Sequence, residues 1–310
     1  MPLNRRLILP LILATTLGAH MAVSADISHE MGTTAVPADP ERVVVLEFSF
    51  IDALVSVGMV PVGIADDNNP DRVMTVYGDI LGDAWTSVGT RKTPSLEIIA
   101  SLAPDLIIAD KTRHSAAYDT LSQIAPTIVL DSLGGDYHAS VAQMAVIGEA
   151  IGQPEAMTAR IAEHKATMTA FAERIRPHAA GVSAQFGVTN ADGLYLHAPP
   201  SYNGALLAMF GFDSNMTPGE GGVYERNYIE TTLEQLSEID PDILILGEYT
   251  DPSATDTWAG EPLWQALTAV EGDAVHYVVA NNWSRLRGMV AAELTAADLL
   301  KIVGADESGS

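Results

Sequence analysis

Ser95-Leu96-Glu97 is followed, seven residues after the glutamate, by Pro104-Asp105-Leu106-Ile107-Ile108. The same arrangement returns as Thr232-Leu233-Glu234 and Pro241-Asp242-Ile243-Leu244-Ile245, 137 residues further on. Each copy reads as a short helix, a proline that cannot continue it, and an apolar strand covered on both faces. A unit repeated at that distance predicts two similar α/β lobes.

Working outward from the repeat, short β-branched runs alternate with helical stretches, the pattern of parallel sheets. The expected strands are 42–46, 62–65, 105–109 and 127–130 in the first half, with a short one near 87–89. In the second half they are 182–188, 194–197, 242–246 and 276–279. Between the halves, residues 154–177 hold no glycine and repeat apolar residues at Met157, Ile161, Met168 and Phe171. This predicts a helix of about 22 residues and roughly 33 Å joining the lobes. The expected fold is therefore α/β, two similar lobes with central parallel sheets joined by one long interdomain helix. Residues 26–153 form the first lobe, 178–303 the second, and 304–310 a polar tail.

Residues 1–25 stand apart from that fold. Arg5 and Arg6 precede an apolar run over 7–18, and Val23-Ser24-Ala25 offers small residues before a cleavage point. That is the pattern of a secretory signal peptide. No cysteine follows the run to carry a lipid. The expected mature chain is exported, soluble and monomeric.

The whole chain carries 40 acidic and 16 basic residues, a net charge of −24, and no cysteine. A disulfide scaffold and a thiolate metal site are excluded, and so acidic a chain is a poor partner for nucleic acid. Without Arg5 and Arg6, ten arginines and four lysines remain, and six of these fourteen lie in three strand-end loops: Arg91 and Lys92, Lys111 and Arg113, Arg285 and Arg287. Ligands of open parallel sheets sit beyond the carboxyl ends of the strands. Scarce cations gathered there on both lobes predict a cleft for an anion, and arginine forks pair bidentately with carboxylates. Arg285 and Arg287 share a face only if their segment is extended or turn-like. Glu47, at the end of the first strand, reads as either a cleft residue or an arginine partner.

Catalytic signatures are weak. There is no Gly-x-Ser-x-Gly, phosphate-binding glycine loop or His-Glu-x-x-His. Seven histidines are scattered singly after residue 25. Asp66, Asp67 and His114 leave open an exported metal-dependent hydrolase.

Several stretches together resemble the periplasmic iron–siderophore binding proteins: 42–50 (RVVVLEFSF), 61–69 (PVGIADDNN), 87–97 (SVGTRKTPSLE), 104–110 (PDLIIAD), 262–267 (PLWQAL) and 282–288 (NWSRLRG). The resemblance runs from about residue 27 to 303 and is weakest over 198–228. It implies the helical-backbone (class III) two-lobed fold and a binding rather than an enzymatic role. It further implies capture of an anionic ferric complex, ferric citrate (ferric dicitrate), by Arg91, Arg113, Arg285 and Arg287, with Trp283 and Tyr202 as aromatic lining. The chelator would hold the iron, with no protein metal ligand and no resident cofactor. Glu97 and Glu234 resemble paired lobe-surface glutamates that dock on an inner-membrane ABC permease dimer with its ATPase. Within the same fold, a hydroxamate or catecholate siderophore, haem or a corrinoid remains open as ligand.

Overall fold

Residues 24–305 are described in a computed structural model. Most of the expected leader, and residues 306–310 of the expected tail, lie outside the described residues. The chain begins with a hairpin, β1 (Ser24–His29) and β2 (Gly32–Pro37), paired antiparallel. β1 therefore starts two residues before the expected cleavage point.

The first lobe is built on β3 (Val43–Val45), β4 (Gly63–Ile64), β5 (Thr86–Ser87), β6 (Leu106–Asp110) and β7 (Thr127–Leu130). They form one parallel sheet in the order β5-β4-β3-β6-β7. Alternation along the strands divides the core in two. Val43, Val45, Leu106 and Ile108 face one side, and Val44, Leu46, Ile107 and Ala109 the other. Burial on both faces is what makes these runs unbroken in apolar content.

The second lobe carries β8 (Ala184–Thr189), β9 (Leu194–His197), β10 (Tyr228–Thr231), β11 (Ile243–Glu248) and β12 (Val275–Val278). Its order, β10-β9-β8-β11-β12, matches the first sheet position for position. Here β8, β11 and β12 are parallel, whereas β9 runs antiparallel to both β8 and β10. The turn explains this departure from an all-parallel sheet. Only four residues link β8 to β9, too few for a crossover, and the Asn190 side chain closes the turn by accepting from the N–H groups of Asp192 and Gly193.

The repeat read from the sequence supplies β6 and β11, which occupy the same place beside the central strands β3 and β8. Its aspartate has a structural duty in each copy. Asp105 accepts from the N–H of Arg42 at 2.9 Å, and Asp242 accepts from that of Ser183 at 2.7 Å, tying each repeat strand to the start of its neighbour.

The linking helix spans Pro154–Ala179, 26 residues and about 39 Å. It runs two residues past the expected end at Pro177, a proline inside the helix that costs it one N–H donor. Phe171, expected on its apolar face, is half-buried, while Ala172 and Ile175 are buried. A second element also crosses between the lobes. In the Met289–Ile302 helix, Met289 and Ala291 join the first-lobe core, while Ala292, Ala296 and Leu299 join the second. Among the described residues, no helix is long and apolar enough to cross a membrane.

Candidate functional site

The first sheet changes direction between β3 and β6, which is where ligand crevices form in such sheets. Glu47 lies just past β3, at the N-terminal boundary of the Phe48–Ser56 helix; Arg113 lies just beyond β6 in the short Lys111–His114 helix, whose start is capped by the Asp110 carboxylate. The two meet directly, Nη1 of Arg113 donating to Oε1 of Glu47. The other Glu47 oxygen accepts from Nη1 of Arg91 at 3.3 Å. Glu47 is 1% exposed. Burial alone would raise its pKa, but the guanidinium charges of Arg91 and Arg113 hold it below the usual carboxylate range.

Arg91, in the loop after β5, is almost fully enclosed. Its guanidinium lies 4.0 Å from the centre of the Phe48 ring. Its Nε and Nη2 donate to Oδ2 of Asp67 at 3.1 and 2.8 Å, while its backbone N–H donates to Oδ1 at 2.9 Å. The buried His114 ring accepts the Asp110 N–H on Nδ1 at 2.9 Å, so its Nε2 is left to donate to the Arg91 carbonyl at 2.8 Å. Asp67 follows β4 in a left-handed conformation, with φ +61°, and also accepts from Arg72 Nη1 at 2.8 Å. Burial opposes its ionisation, but the Arg91 hydrogen bond and the charges of Arg91 and Arg72 bring its pKa down to about 2.

The second lobe reaches the same place through residues 285–287, an unwound stretch between the Ala280–Ser284 and Met289–Ile302 helices. Leu286 is buried in the first-lobe core, so Arg285 and Arg287 turn together to the other side. Arg285 lies 4.5 Å over the Tyr249 ring and 3.7 Å from Asp67 Oδ2. Arg287 donates to the Tyr228 hydroxyl at 2.7 Å. Arg113 also spans the lobes, donating to the Tyr224 hydroxyl at 3.3 Å. The loop is anchored by Asp52, which accepts from the N–H groups of Met289, Val290 and Ala291 and from the Tyr77 hydroxyl. Gly288 is required there: its φ is +125°, and a Cβ would lie 2.4 Å from the Asp52 carboxyl carbon. Beside this cluster a cleft of about 560 Å³ opens between the lobes, lined by Arg72, Tyr249, Tyr277, Asn281, Asn282 and Arg285 among others. Its size suits a small-molecule ligand.

The four arginines expected from the sequence thus converge, with Glu47 as the partner of Arg91 and Arg113. Two expected aromatics do not join them. Trp283 is 1% exposed, packs on Phe186, and donates its indole N–H to Asp298. Tyr202 is equally buried, with its hydroxyl donating to the Gly288 carbonyl. Helical turning of residues 280–284 sends Trp283 into the second-lobe core, so proximity in sequence to Arg285 is misleading. Tyr224, Tyr228 and Tyr249 stand in their place. Arg72 escapes the sequence reading, although a cation at the start of a helix shortly after a strand-end aspartate is a legible signal.

Asp66, Asp67 and His114 form no hydrolytic centre. Asp66 accepts from the Ser87 hydroxyl and the Asn68 N–H, Asp67 is held by arginines, and His114 orients Arg91. Glu97 and Glu234 lie exposed in the first turns of the Leu96–Ser101 and Leu233–Ile239 helices. Both helices begin at the carboxyl ends of strands, the side of the sheets on which the arginines gather. Burial is absent at Glu234, and hydrogen bonds from its own N–H and from Thr232 lower its pKa.

Two lobes joined by a long helix, with an arginine-lined cleft between them, define a two-lobed binding protein. The chain belongs to the family described as periplasmic binding protein, whose model matches residues 43–280, and this is a family of binding proteins rather than enzymes. It is 40% identical over 281 residues to the Fe(3+) dicitrate-binding periplasmic protein FecB of Escherichia coli K12, covering 91% of each chain. It is 39% identical over 277 residues to the Fe(3+)-citrate-binding protein YfmC of Bacillus subtilis, covering 89% of this chain and 85% of that one. In fold it is similar to Staphylococcus aureus SirA complexed with staphyloferrin B, with a TM-score of 0.77, 24% identity, and coverage of 91% of this chain and 99% of that one.

Proposed function

We propose that the protein captures an anionic ferric citrate complex in the interlobe cleft and delivers it to an inner-membrane ABC permease dimer. The observation that carries this reading is the convergence of Arg72, Arg91, Arg113, Arg285 and Arg287 from both lobes, with Glu47 and Asp67 as the carboxylates paired to their guanidinium groups among the described residues. That cluster keeps an excess of positive charge in a strongly acidic chain. Guanidinium forks suit the free carboxylates of a citrate complex. The two relatives named for ferric citrate, at 40% and 39% identity, support this ligand. In this reading citrate holds the iron and the protein holds citrate, with no protein atom on the metal.

Delivery rests on Glu97 and Glu234. One carboxylate per lobe, both exposed on the cleft side, suits a dimeric permease presenting one cation per half. A hollow of about 560 Å³ beside Glu234, flanked by Glu230 and Glu261, adds negative charge there. Residues 1–25 act as the export signal, leaving a monomeric, soluble periplasmic protein. Iron analysis of the purified protein tests the ligand reading: iron should be retained with citrate present and lost without it. Tight retention without any chelator would contradict it.

A further inference from the structure

We propose that Asp67 competes with a carboxylate of the ligand for the cleft arginines, so that capture is an exchange of anions and Asp67 helps decide which complexes enter. The inference rests on the cleft being the ligand site. Three arginines share one Asp67 oxygen: Arg91 through Nε and Nη2, Arg72 at 2.8 Å, and Arg285 at 3.7 Å. Two Arg91 side-chain N–H groups hold one Asp67 oxygen by charge-assisted bonds and its backbone N–H holds the other, so Asp67 occupies a place that a citrate carboxylate would contest. The backbone is bent to put it there. Asp67 and Asn68 are consecutive residues in the left-handed region, with φ of +61° and +55°, a conformation that Asp and Asn adopt more readily than other non-glycine residues. The turn is held by the Asp67 N–H on the Gly89 carbonyl and the Asn68 N–H on Asp66.

Glu47 differs in kind. It is bonded to Arg91 and Arg113, both of the first lobe, and is enclosed. Asp67 is less enclosed, with a side chain 13% exposed, and touches the second lobe through Arg285, the longest contact of the set and one made by a side chain that is 24% exposed. An incoming carboxylate would break that contact first. A polycarboxylate complex can replace Asp67 on several arginines at once, whereas a neutral chelate offers nothing in exchange. Asp67 therefore latches the lobes through Arg285 and discriminates against uncharged ligands.

The chain has no cysteine, so Asp79→Cys and Thr250→Cys, both exposed and one on each lobe, give a unique spin-label pair. In the ligand-free protein, Asp67→Asn should broaden the interlobe distances towards longer values. Arg285→Gln should do the same from the other side, and it serves if Asp67→Asn does not fold. Unchanged distances in a folded variant would overturn the latch whatever the ligand is. Titration then tests exchange. Asp67→Asn should bind ferric citrate about threefold or more tightly than the parent, because a larger share of the empty protein is open to ligand and one repelling charge is gone. It should also bind an uncharged ferric hydroxamate less poorly than the parent does. Weaker ferric citrate binding would reduce Asp67 to an orienter of Arg91 and overturn the exchange. Changed distances with no ferric citrate binding by either protein would uphold the latch and reject the ligand.

Discussion

Glu47 and Arg113 are bonded across the point where the first sheet reverses its strand order, one just past the end of β3 and the other just past the end of β6. Glu47 is buried and Arg113 half-buried, and Arg91 shares the same carboxylate. Its effect is to fix two guanidinium groups before any ligand arrives, so that binding need not order them.

Removing Glu47 leaves two enclosed cations without their counter-charge. Glu47→Ala should lower stability by about 3 kcal/mol, the scale for breaking a buried pair by removing one partner. Saturating ferric citrate should restore part of that loss, because the ligand supplies the missing negative charge. Denaturant unfolding with and without ligand measures both quantities; an equal loss in the two conditions would mean that the ligand does not reach these arginines.

Arg91 and Arg285 should separate stability from affinity. Arg285→Ala is expected to weaken ferric citrate binding by about 1.5–3 kcal/mol, the worth of a hydrogen bond to a charged group, with little effect on folding. Arg91→Ala should weaken binding by a similar amount and also destabilise the protein, since Asp67 and Glu47 both depend on it. Calorimetric titration beside thermal melting distinguishes them. Equal melting behaviour of the two variants would contradict the different burial of their side chains.

Acid stability should be governed by two buried groups that act in opposite directions. Burial, assisted by the charge of Arg287, lowers the His197 pKa to about 3. The folded state then binds fewer protons there than the unfolded state, so stability is lost as pH falls below about 6.5. Burial raises the Asp52 pKa to about 6 despite its N–H donors. Its contribution has the opposite sign, being present below about 3.9 and lost as pH rises through 6. Unfolding free energies between pH 7 and 4 should fall less steeply for His197→Gln than for the parent, and more steeply for Asp52→Asn. Parallel curves for all three proteins would remove both groups from the account.

Most of the fold was legible because its signals are local. Val43-Val44-Val45 and Leu106-Ile107-Ile108 read as doubly covered strands, and the repeated Pro-Asp marked the pairing of β6 and β11 with their neighbours. The β1–β2 hairpin gave no such signal, since Ile27 and Val36 are its only fully buried apolar residues. The cleft arginines were legible from their position after strands. Which aromatics accompany them was not, because it depends on how residues 280–284 wind and where Leu286 inserts, neither of which is a property of the local sequence. The role of Glu47 needed the meeting of β3 and β6, residues 66 apart in the chain.

Capture and delivery should be separable. The Glu97→Ala, Glu234→Ala double variant is expected to bind ferric citrate like the parent while failing to stimulate uptake or permease ATPase activity in reconstituted vesicles. Parent-like association should weaken with salt, as exposed charges acting on encounter and register do. Lost affinity with intact transport per bound ligand would move these residues into the cleft.

The central claim is that the arginine cleft is built for a ferric polycarboxylate. Calorimetric titration of the full mature protein with ferric citrate, iron-free citrate and a ferric hydroxamate tests it most directly. Saturable binding of ferric citrate, at least about tenfold tighter than either competitor, a gap of about 1.4 kcal/mol, is the predicted result. Tighter binding of the hydroxamate, or no binding of ferric citrate at all, would contradict it.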